Sequence, residues 1–345
     1  MTVEPFSFGG RRIAGGEAET VDLPISVLTD HTPATMSVRV FHGRRPGPTL
    51  FVSAAIHGDE IIGVEVCRRL MQAPQLAALR GTLLVVPIVN TFGFLNQSRY
   101  LPDRRDLNRC FPGSERGSLA SRLANIFMTE IAARSDLGID LHSAALHRTN
   151  LPQIRVSASS RETLDLARAF GAPLVIRARL REGSMREAAR NAGCDVLLYE
   201  AGEALRFDEM SARIGASGIL RVMRAMKMIP AKGLPKREAQ PVVVNGSAWV
   251  RAPASGLLRL FRDVGEHVED GQLLAIVASP FGTAEAEIRA PAAGVLMGRA
   301  TMPVVNEGDA VYHLADVPVD DAEDRLSQLA ADLEADPMFD EDEIL

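Results

Sequence analysis

Two histidines and two glutamates have the types and spacing to bind and use a metal ion. His57 and Glu60 lie three residues apart in the run HGDE, whereas His142 and Glu200 lie far from them along the chain. Catalytic zinc commonly takes three protein ligands from histidine and carboxylate side chains and keeps a fourth position for water. His57, Glu60 and His142 suit such a site, and Glu200 can then take up and return a proton. These residues indicate hydrolysis by a metal-activated water molecule.

Apolar runs with the length of buried strands come before each of these residues. The runs are 49–56 before His57, 137–141 before His142 and 195–199 before Glu200. Apolar residues recur at helical spacing over 61–73, 118–135, 161–170 and 185–193. Alternating strands and helices of this kind predict an α/β domain with a mixed, mainly parallel sheet. Because ligands bind beyond the carboxyl ends of the strands in open α/β sheets, we expect the four side chains to meet at one edge.

Taken singly, each of these residues also fits a structural role. An isolated His-x-x-Glu pair is common by chance, and a lone histidine at a strand end is more often a packing or surface residue. Asp140 either supports His142 or simply belongs to the end of its strand. Placement alone therefore gives metal-dependent hydrolysis and a structural role about equal weight.

The run SRYLPDRRDLNRCFPG (98–113) concentrates charge in a loop flanked by proline and glycine. Arginine suits carboxylates because its planar guanidinium donates two parallel hydrogen bonds. Arg99, Asn108 and Arg109 are therefore candidates for holding an acidic substrate or a developing oxyanion. The alternative is a solvated loop that is held by local ion pairs such as Asp103–Arg105.

In this order, HGDE, RYLPDRRDLNRCFPG, DLH and YEAG resemble the succinylglutamate desuccinylase/aspartoacylase family, the deacylase branch of the zinc carboxypeptidase fold. The resemblance covers essentially the whole chain. It implies that His57, Glu60 and His142 bind one zinc ion per subunit and that Glu200 is the catalytic acid and base.

The same resemblance implies how the substrate is held. Asn108 and Arg109, in the DLNR motif, would bind the substrate carboxylate and carbonyl, with Arg99 assisting. Further substrate contacts within residues 177–186 are left unassigned.

The C-terminal part of the chain contains an internal repeat. APASGLL (252–258) returns as APAAGVL (290–296), and VEDGQLL (268–274) returns as VNEGDAV (305–311). Two similar β-units predict a small barrel with pseudo-twofold symmetry, and the pattern resembles biotinyl/lipoyl-type domains. Those domains carry their cofactor on a hairpin lysine, and the matching hairpin, 278–285, has none. A carrier role is therefore excluded.

The predicted architecture is a three-layer α/β/α zinc-carboxypeptidase-like domain with a mixed sheet over residues 1–240. A small lipoyl-like β-barrel follows over 241–317, and an acidic tail over 318–345. Residues 316–345 carry 12 Asp or Glu and one Arg, a net charge of −11, whereas the rest of the chain has a net charge of +5. Tails of this composition are typically solvated, although a subunit contact is the alternative.

Composition narrows the class and the partners of the protein. The apolar fraction is 46% and the charged fraction 24%, as in ordinary globular proteins. Neither a secretory signal nor an apolar run long enough for a membrane span is evident, so cytoplasm is the expected compartment. Three scattered cysteines argue against a disulfide framework. Basic residues do not cluster with aromatic ones, which argues against nucleic acid as a partner.

The sequence therefore predicts a zinc-dependent hydrolase that cleaves the amide bond of a small acidic or zwitterionic N-acyl amino acid. A zinc metallocarboxypeptidase acting on short or modified peptides is the first alternative, because the same metal and base serve both reactions. A non-catalytic binding protein built on an inherited fold is the second. A homo-oligomer stays open.

Overall fold

The computed structural model describes residues 3–157, 160–230 and 240–317. The strands in these ranges are β1 Phe6–Phe8, β2 Arg11–Ile13, β3 Ala18–Val27, β4 Pro33–His42, β5 Arg45–Ala54, β6 Arg80–Val86, β7 Leu137–Ala144, β8 Arg148–Val156, β9 Leu174–Arg177, β10 Asp195–Glu203, β11 Val242–Val244, β12 Ser247–Arg251, β13 Gly256–Leu260, β14 His267–Val268, β15 Leu273–Ala278, β16 Glu285–Arg289, β17 Gly294–Ala300, β18 Val304–Val305 and β19 Ala310–Ala315. The α-helices are α1 Ile62–Gln72, α2 Thr91–Leu95, α3 Leu119–Glu130, α4 Arg161–Phe170, α5 Met185–Asn191 and α6 Glu209–Ala225.

A large mixed sheet forms the centre of the molecule, as the sequence predicted. The expectation that it is mainly parallel was wrong, because antiparallel pairs outnumber parallel ones once the C-terminal strands have joined the sheet. Its order is β12-β19-β17-β8-β10-β7-β5-β6-β4-β3. The strands β10, β7, β5 and β6 run parallel, whereas β4 is antiparallel to β3 and β6, and β8 is antiparallel to β10. In the parallel pairing of β10 with β7, Glu200 lies directly opposite His142. The register thus brings two of the predicted site residues side by side.

Helices cover both faces of this sheet. One apolar cluster packs α1, α4 and α6 on strands β5, β7 and β10, with Val66, Phe170 and Ile219 fully buried. The other packs α3 and α5 on the opposite face, with Phe127 and Ala189 fully buried. Among the helices that the structure describes, none has both the length and the apolar character needed to cross a membrane.

Side-chain caps fix where two helices near the site, α2 and α5, begin. The Asn90 side chain accepts a hydrogen bond from the Gly93 amide at 2.8 Å at the start of α2. Ser184 caps α5 in the same way, since its hydroxyl accepts from the Glu187 amide. A cap of this kind stabilises a helix by about 1 kcal/mol. The loops that precede these helices are therefore held at the carboxyl edge of the sheet.

The C-terminal strands form two layers around their own apolar core. Strands β16, β15, β13 and β18 make a separate sheet, whereas β12, β19 and β17 extend the central one through antiparallel pairing of β17 with β8. Leu258, Val277 and Leu296 are buried between the layers.

Strand pairs cross the predicted domain boundary at 240/241, because β11 pairs with β9 and β17 pairs with β8. The described C-terminal strands are thus joined to the central sheet by hydrogen bonds. A closed lipoyl-type barrel and an independent domain over 241–317 stay predictions. The acidic tail, 318–345, lies outside the described residues.

Candidate active site

A tight turn after β5 brings His57 and Glu60 to the sheet edge. Ala55 is buried with a φ of 51°, in a region that residues other than glycine rarely adopt. Its carbonyl accepts a hydrogen bond from the Asn90 amide at 2.9 Å. A Cβ atom on Gly58 would lie 2.0 Å from the carbonyl carbon of Gly93, so this close approach requires glycine. The segment from Asn90 to Gly93 therefore supports the strained backbone at Ala55.

Three buried side chains converge at this edge. Nδ1 of His57 lies 2.6 Å from one carboxylate oxygen of Glu60, and Nδ1 of His142 lies 2.8 Å from the other. The Ser143 amide also donates to Glu60. One ligand atom from each of His57, Glu60 and His142 lies within 4.8 Å of the other two, so the group could hold a metal ion.

The opposite nitrogen of each histidine contacts a second carboxylate. Nε2 of His57 lies 3.1 Å from Asp106, and Nε2 of His142 lies 2.7 Å from Asp140. Asp140 also accepts a hydrogen bond from the Ser53 hydroxyl at 2.8 Å. Histidines that bind metals usually donate their other ring N–H to a carboxylate or carbonyl in this way. The donor set and its supporting carboxylates thus fit a zinc site.

Charges in this cluster compensate each other. Burial opposes ionisation of Glu60, but His57 and His142 hold the pKa of its carboxyl well below the usual value. Burial likewise opposes charging of His142, and the neighbouring Asp140 and Glu60 carboxylates nevertheless raise its pKa. Because each group stabilises the charged form of its neighbours, the cluster can be buried.

The 98–113 loop is joined to the cluster by Asp106. Arg99 contacts Asp106 at 3.1 Å and Glu60 at 3.3 Å. Asp106 also accepts from the Asn108 amide at 2.9 Å. The Asn108 side chain in turn accepts from the Met185 amide at the start of α5. The Asp103–Arg105 ion pair of the alternative interpretation is present as well, at 3.6 Å, but it lies on the outer side of the loop, where Arg105 is exposed.

Glu200 lies in the same cavity and is held by two residues of β8. Asn150 donates a hydrogen bond to one carboxylate oxygen at 2.8 Å, and Arg155 lies 2.8 Å from the other. Both contacts follow from the antiparallel pairing of β10 with β8, in which Leu198 faces Arg155 and Gly202 faces Asn150. The carboxylate therefore has a fixed orientation.

All seven residues predicted from the sequence line one cavity of about 400 Å³: His57, Glu60, His142, Glu200, Arg99, Asn108 and Arg109. The sequence analysis did not assign several further lining residues, among them Arg148, Asn150, Arg155, Arg179, Arg181, Arg186 and Trp249. The residues at 179, 181 and 186 fall in the segment where unassigned contacts were expected. The others come from β8 and β12, whose positions no motif indicated.

Arg186 is the most deeply buried of the cavity arginines, with an exposed fraction of 9%. Its Nη2 donates to the Arg179 carbonyl at 2.9 Å, whereas its Nη1 has no hydrogen-bond partner among the described residues. Burial, with Arg155 nearby, lowers the pKa of the guanidinium to about 10. A buried donor without a partner is costly unless a ligand or a water molecule pairs with it.

Known proteins with similar sequences and folds identify the family of this chain. Residues 46–226 match the family model of the succinylglutamate desuccinylase/aspartoacylase catalytic domain. The chain is 29% identical over 314 residues to an N-alpha-acetyl-L-2,4-diaminobutyric acid deacetylase from Halomonas elongata, which covers 86% of this chain and 90% of the relative.

Among solved structures, a succinylglutamate desuccinylase/aspartoacylase from Rhodobacter sphaeroides superposes with a TM-score of 0.78 at 26% identity, over 88% of this chain and 96% of the other. The product-bound ectoine utilization protein EutE (DoeB) from Ruegeria pomeroyi gives a TM-score of 0.77 at 24% identity, over 86% and 95% of the two chains. The latter likeness concerns the fold alone. The family model spans more than half of this chain and contains every predicted site residue. The chain therefore belongs to the succinylglutamate desuccinylase/aspartoacylase family and is a hydrolase that acts on carbon–nitrogen bonds other than peptide bonds.

Proposed function

We propose that this protein hydrolyses the amide bond of a small N-acyl amino acid with an acidic side chain. The observation that carries the proposal is the convergence of His57, Glu60 and His142 in a cavity that also contains Glu200 and seven arginines. The cluster supplies the ligands of a hydrolytic metal, Glu200 supplies the base, and the guanidinium groups supply partners for carboxylates.

Zinc is the metal that these donors fit best. Two imidazoles and one carboxylate are a common ligand set of catalytic zinc, and both imidazoles are oriented by a further carboxylate. When bound, zinc would lower the pKa of a water molecule to about 7 and polarise a carbonyl group. His57, Glu60 and His142 would hold it, while Asp106 and Asp140 keep the two imidazole rings in orientation.

Glu200 is the residue that moves protons in this proposal. Its carboxylate takes a proton from the attacking water and passes it to the nitrogen of the departing amino acid, so that the amide C–N bond breaks as a new C–O bond forms. Asn150 and Arg155 keep both carboxylate oxygens in position during this transfer. Asn108, Arg109 and Arg99 hold the substrate carboxylate and the charge that develops on the carbonyl oxygen.

The charge of the cavity favours an anionic side chain on the substrate. The three carboxylates that line it, Glu60, Asp140 and Glu200, are each engaged by histidine or arginine. The deacetylase from Halomonas elongata is named for a substrate that carries an additional amine. A cationic side chain would meet guanidinium groups here, and like charges in a partly buried cavity repel. We therefore expect this chain to prefer N-acyl aspartate or N-acyl glutamate over N-acetyl-2,4-diaminobutyrate.

The test is hydrolysis of N-acetyl, N-succinyl and N-formyl amino acids by zinc-loaded protein, with Glu200→Gln beside the wild type. General acid–base catalysis typically contributes 10²- to 10⁴-fold, so kcat should fall by roughly that factor while zinc content stays the same. Glu203→Gln is the matched control. Glu203 lies on the same strand, contacts the His147 amide and Thr301, and is absent from the cavity lining. An unchanged rate in Glu200→Gln would overturn the role given to Glu200.

Short peptides in the same panel separate the two hydrolytic alternatives. Activity confined to peptides would transfer the assignment to a metallocarboxypeptidase. A wild-type protein that binds zinc stoichiometrically and cleaves no compound of the panel would contradict the proposed substrate class, and a protein that binds no zinc would favour a non-catalytic role.

A further inference from the structure

Trp249 is the single tryptophan of the chain, and it reaches the cavity from the C-terminal strands. On β12 it lies opposite His313 of β19, and the two rings stack with their centroids 4.0 Å apart and an interplanar angle of 10°. The guanidinium carbon of Arg148, the first residue of β8, lies 5.4 Å from the centroid of the Trp249 ring. An arginine within about 6 Å of an indole face is attracted by the ring.

Arg148 differs from the cavity arginines that form ion pairs with carboxylates of the chain itself. Arg99 pairs with Glu60 and Asp106, and Arg155 pairs with Glu200. No carboxylate in the part of the chain that the structure describes forms an ion pair with Arg148. Its side chain contacts the indole, and its hydrogen-bond donors remain available in the cavity.

We propose that Trp249 positions Arg148 as the residue that selects for a second carboxylate on the substrate, remote from the amide that is cleaved. This inference rests on the proposed function and adds the residues that set its specificity. An indole holds a guanidinium by its flat face and leaves the N–H groups at the edge free to bind a carboxylate. Specificity is then set partly by the C-terminal strands, while the chemistry is set by the central sheet.

The surroundings of this pair keep it in place. Arg148 is paired with Ala300 in the β8–β17 ladder, which fixes its backbone to the C-terminal strands. His313 is buried below the indole, and its Nε2 lies 2.9 Å from the Ser247 hydroxyl. Trp249 is therefore supported from below by a packed ring, and Arg148 lies near it at the cavity.

The kinetic test compares kcat/KM for a dicarboxylic substrate, N-acetyl-L-aspartate, with kcat/KM for a monocarboxylic one, N-acetyl-L-alanine. In Arg148→Gln this ratio should fall about tenfold or more, with the loss mainly in KM, because a hydrogen bond to a charged group is worth roughly 1.5–3 kcal/mol and 1.4 kcal/mol is tenfold. Trp249→Leu should lower the ratio in the same direction, and Trp249→Phe should retain most of it because an aromatic face remains.

The matched control is Arg259→Gln. Arg259 lies 6.0 Å from the Phe261 ring, so it makes the same kind of contact within the C-terminal strands, but neither residue lines the cavity. Its ratio should equal that of the wild type. An Arg148→Gln enzyme that keeps the wild-type ratio would overturn the proposal, and so would an equal fall in the control.

Binding of succinate tests the same subsite without turnover. Because Trp249 is the single tryptophan, its emission should change on titration of the zinc-loaded protein with succinate, and this change should be lost in Arg148→Gln. If the wild type cleaves no N-acyl amino acid, the proposed function fails, but this titration still tests whether Arg148 and Trp249 bind a carboxylate. An emission that succinate leaves unchanged in the wild type would overturn the subsite whatever the activity.

Discussion

The cavity has two parts that differ in how their charges are balanced. The metal half consists of His57, Glu60 and His142 with the carboxylates that contact them, and the substrate half consists of the residues around Glu200 and the arginines proposed to bind the substrate. In the metal half, His57 and His142 each contact two carboxylates, and every carboxylate of the cluster has a cationic or imidazole partner. In the substrate half, Arg148 has no carboxylate partner among the described residues, and Arg186 keeps one buried donor unpaired. The charges of the first half are nearly balanced within the chain, whereas the second half has guanidinium groups that the proposed substrate would pair with.

This difference assigns different tasks to the two halves. Buried charges that lack partners are expensive, since removal from water is not offset by a local interaction. Groups of this kind persist where a ligand supplies the missing partner, and stability is then exchanged for binding. Variants in the metal half should therefore lose both stability and activity, whereas variants in the substrate half should lose activity alone.

The largest effect is expected from His142→Ala. The change removes one of three proposed metal ligands and leaves Asp140 and Glu60 buried without the imidazole between them. Breaking a buried charged cluster costs about 3–5 kcal/mol, and we expect zinc content to fall below stoichiometric with kcat reduced at least about 10³-fold. Metal analysis, thermal unfolding and rate measurements check this.

The control for that experiment is His147→Asn, a change of an exposed loop histidine five residues further along the chain. It should retain zinc, stability and activity. Full zinc occupancy in His142→Ala would contradict the assignment of His142 as a metal ligand.

Arg186→Met should raise stability while weakening substrate binding, whereas His142→Ala should lower both stability and activity. Removal of a buried guanidinium with an unpaired Nη1 relieves desolvation, while methionine keeps much of the volume. We expect the free energy of unfolding to rise by up to about 1 kcal/mol and KM to rise roughly 10- to 100-fold, as for a lost charged hydrogen bond. Denaturant unfolding and steady-state kinetics measure the two quantities. A variant that loses stability and keeps its KM would contradict the prediction that the substrate half contributes to binding and not to stability.

The same contrast explains how much the sequence predicted. The metal half depends on short motifs that follow apolar strands, and such strands have a clear pattern, so His57, Glu60 and His142 could be found with the sheet that carries them. The mixed sheet and the helices on its two faces follow from the same patterns.

The DLNR motif indicated part of the substrate half, since Arg99, Asn108 and Arg109 line the cavity, but the rest of it could not be found in this way. Asn150 and Arg155 reach Glu200 through an antiparallel pairing whose register no local pattern fixes. Trp249 reaches the cavity because β17 pairs with β8, a contact between segments about 150 residues apart. Arg186 lay in a segment already marked by its arginines, but only burial distinguishes it from Arg179 and Arg181.

Gly298→Ala tests the dependence of Glu200 on the C-terminal strands. A Cβ atom on Gly298 would lie 2.5 Å from the side-chain oxygen of Asn150, the residue that donates to Glu200. Rotation of the amide can relieve the clash, so we expect a loss of about 1 kcal/mol in stability, at the low end for an added methyl group, and a few-fold lower kcat. Unfolding and rate measurements in wild-type and Asn150→Ala backgrounds form a double-mutant cycle. If kcat falls equally in both backgrounds, the effect does not pass through Asn150.

The last effect concerns stability alone, through the pH dependence of His313, which lies below Trp249. Burial, with Arg155 and Arg148 nearby, lowers the pKa of His313 from 6.5 to about 4. The unfolded chain therefore binds a proton at this histidine between pH 6.5 and pH 4 while the folded chain does not, so acidification destabilises the fold. From these two pKa values the loss is roughly 1 kcal/mol at pH 6 and about 2 kcal/mol at pH 5.

His313→Phe keeps a ring against Trp249 and removes the titration. Its free energy of unfolding should fall less steeply with acidification than that of the wild type at saturating zinc. Equal slopes would mean that folding does not lower the pKa of His313, and the substrate half would then gain a cation below the indole once the pH falls below the ordinary histidine pKa.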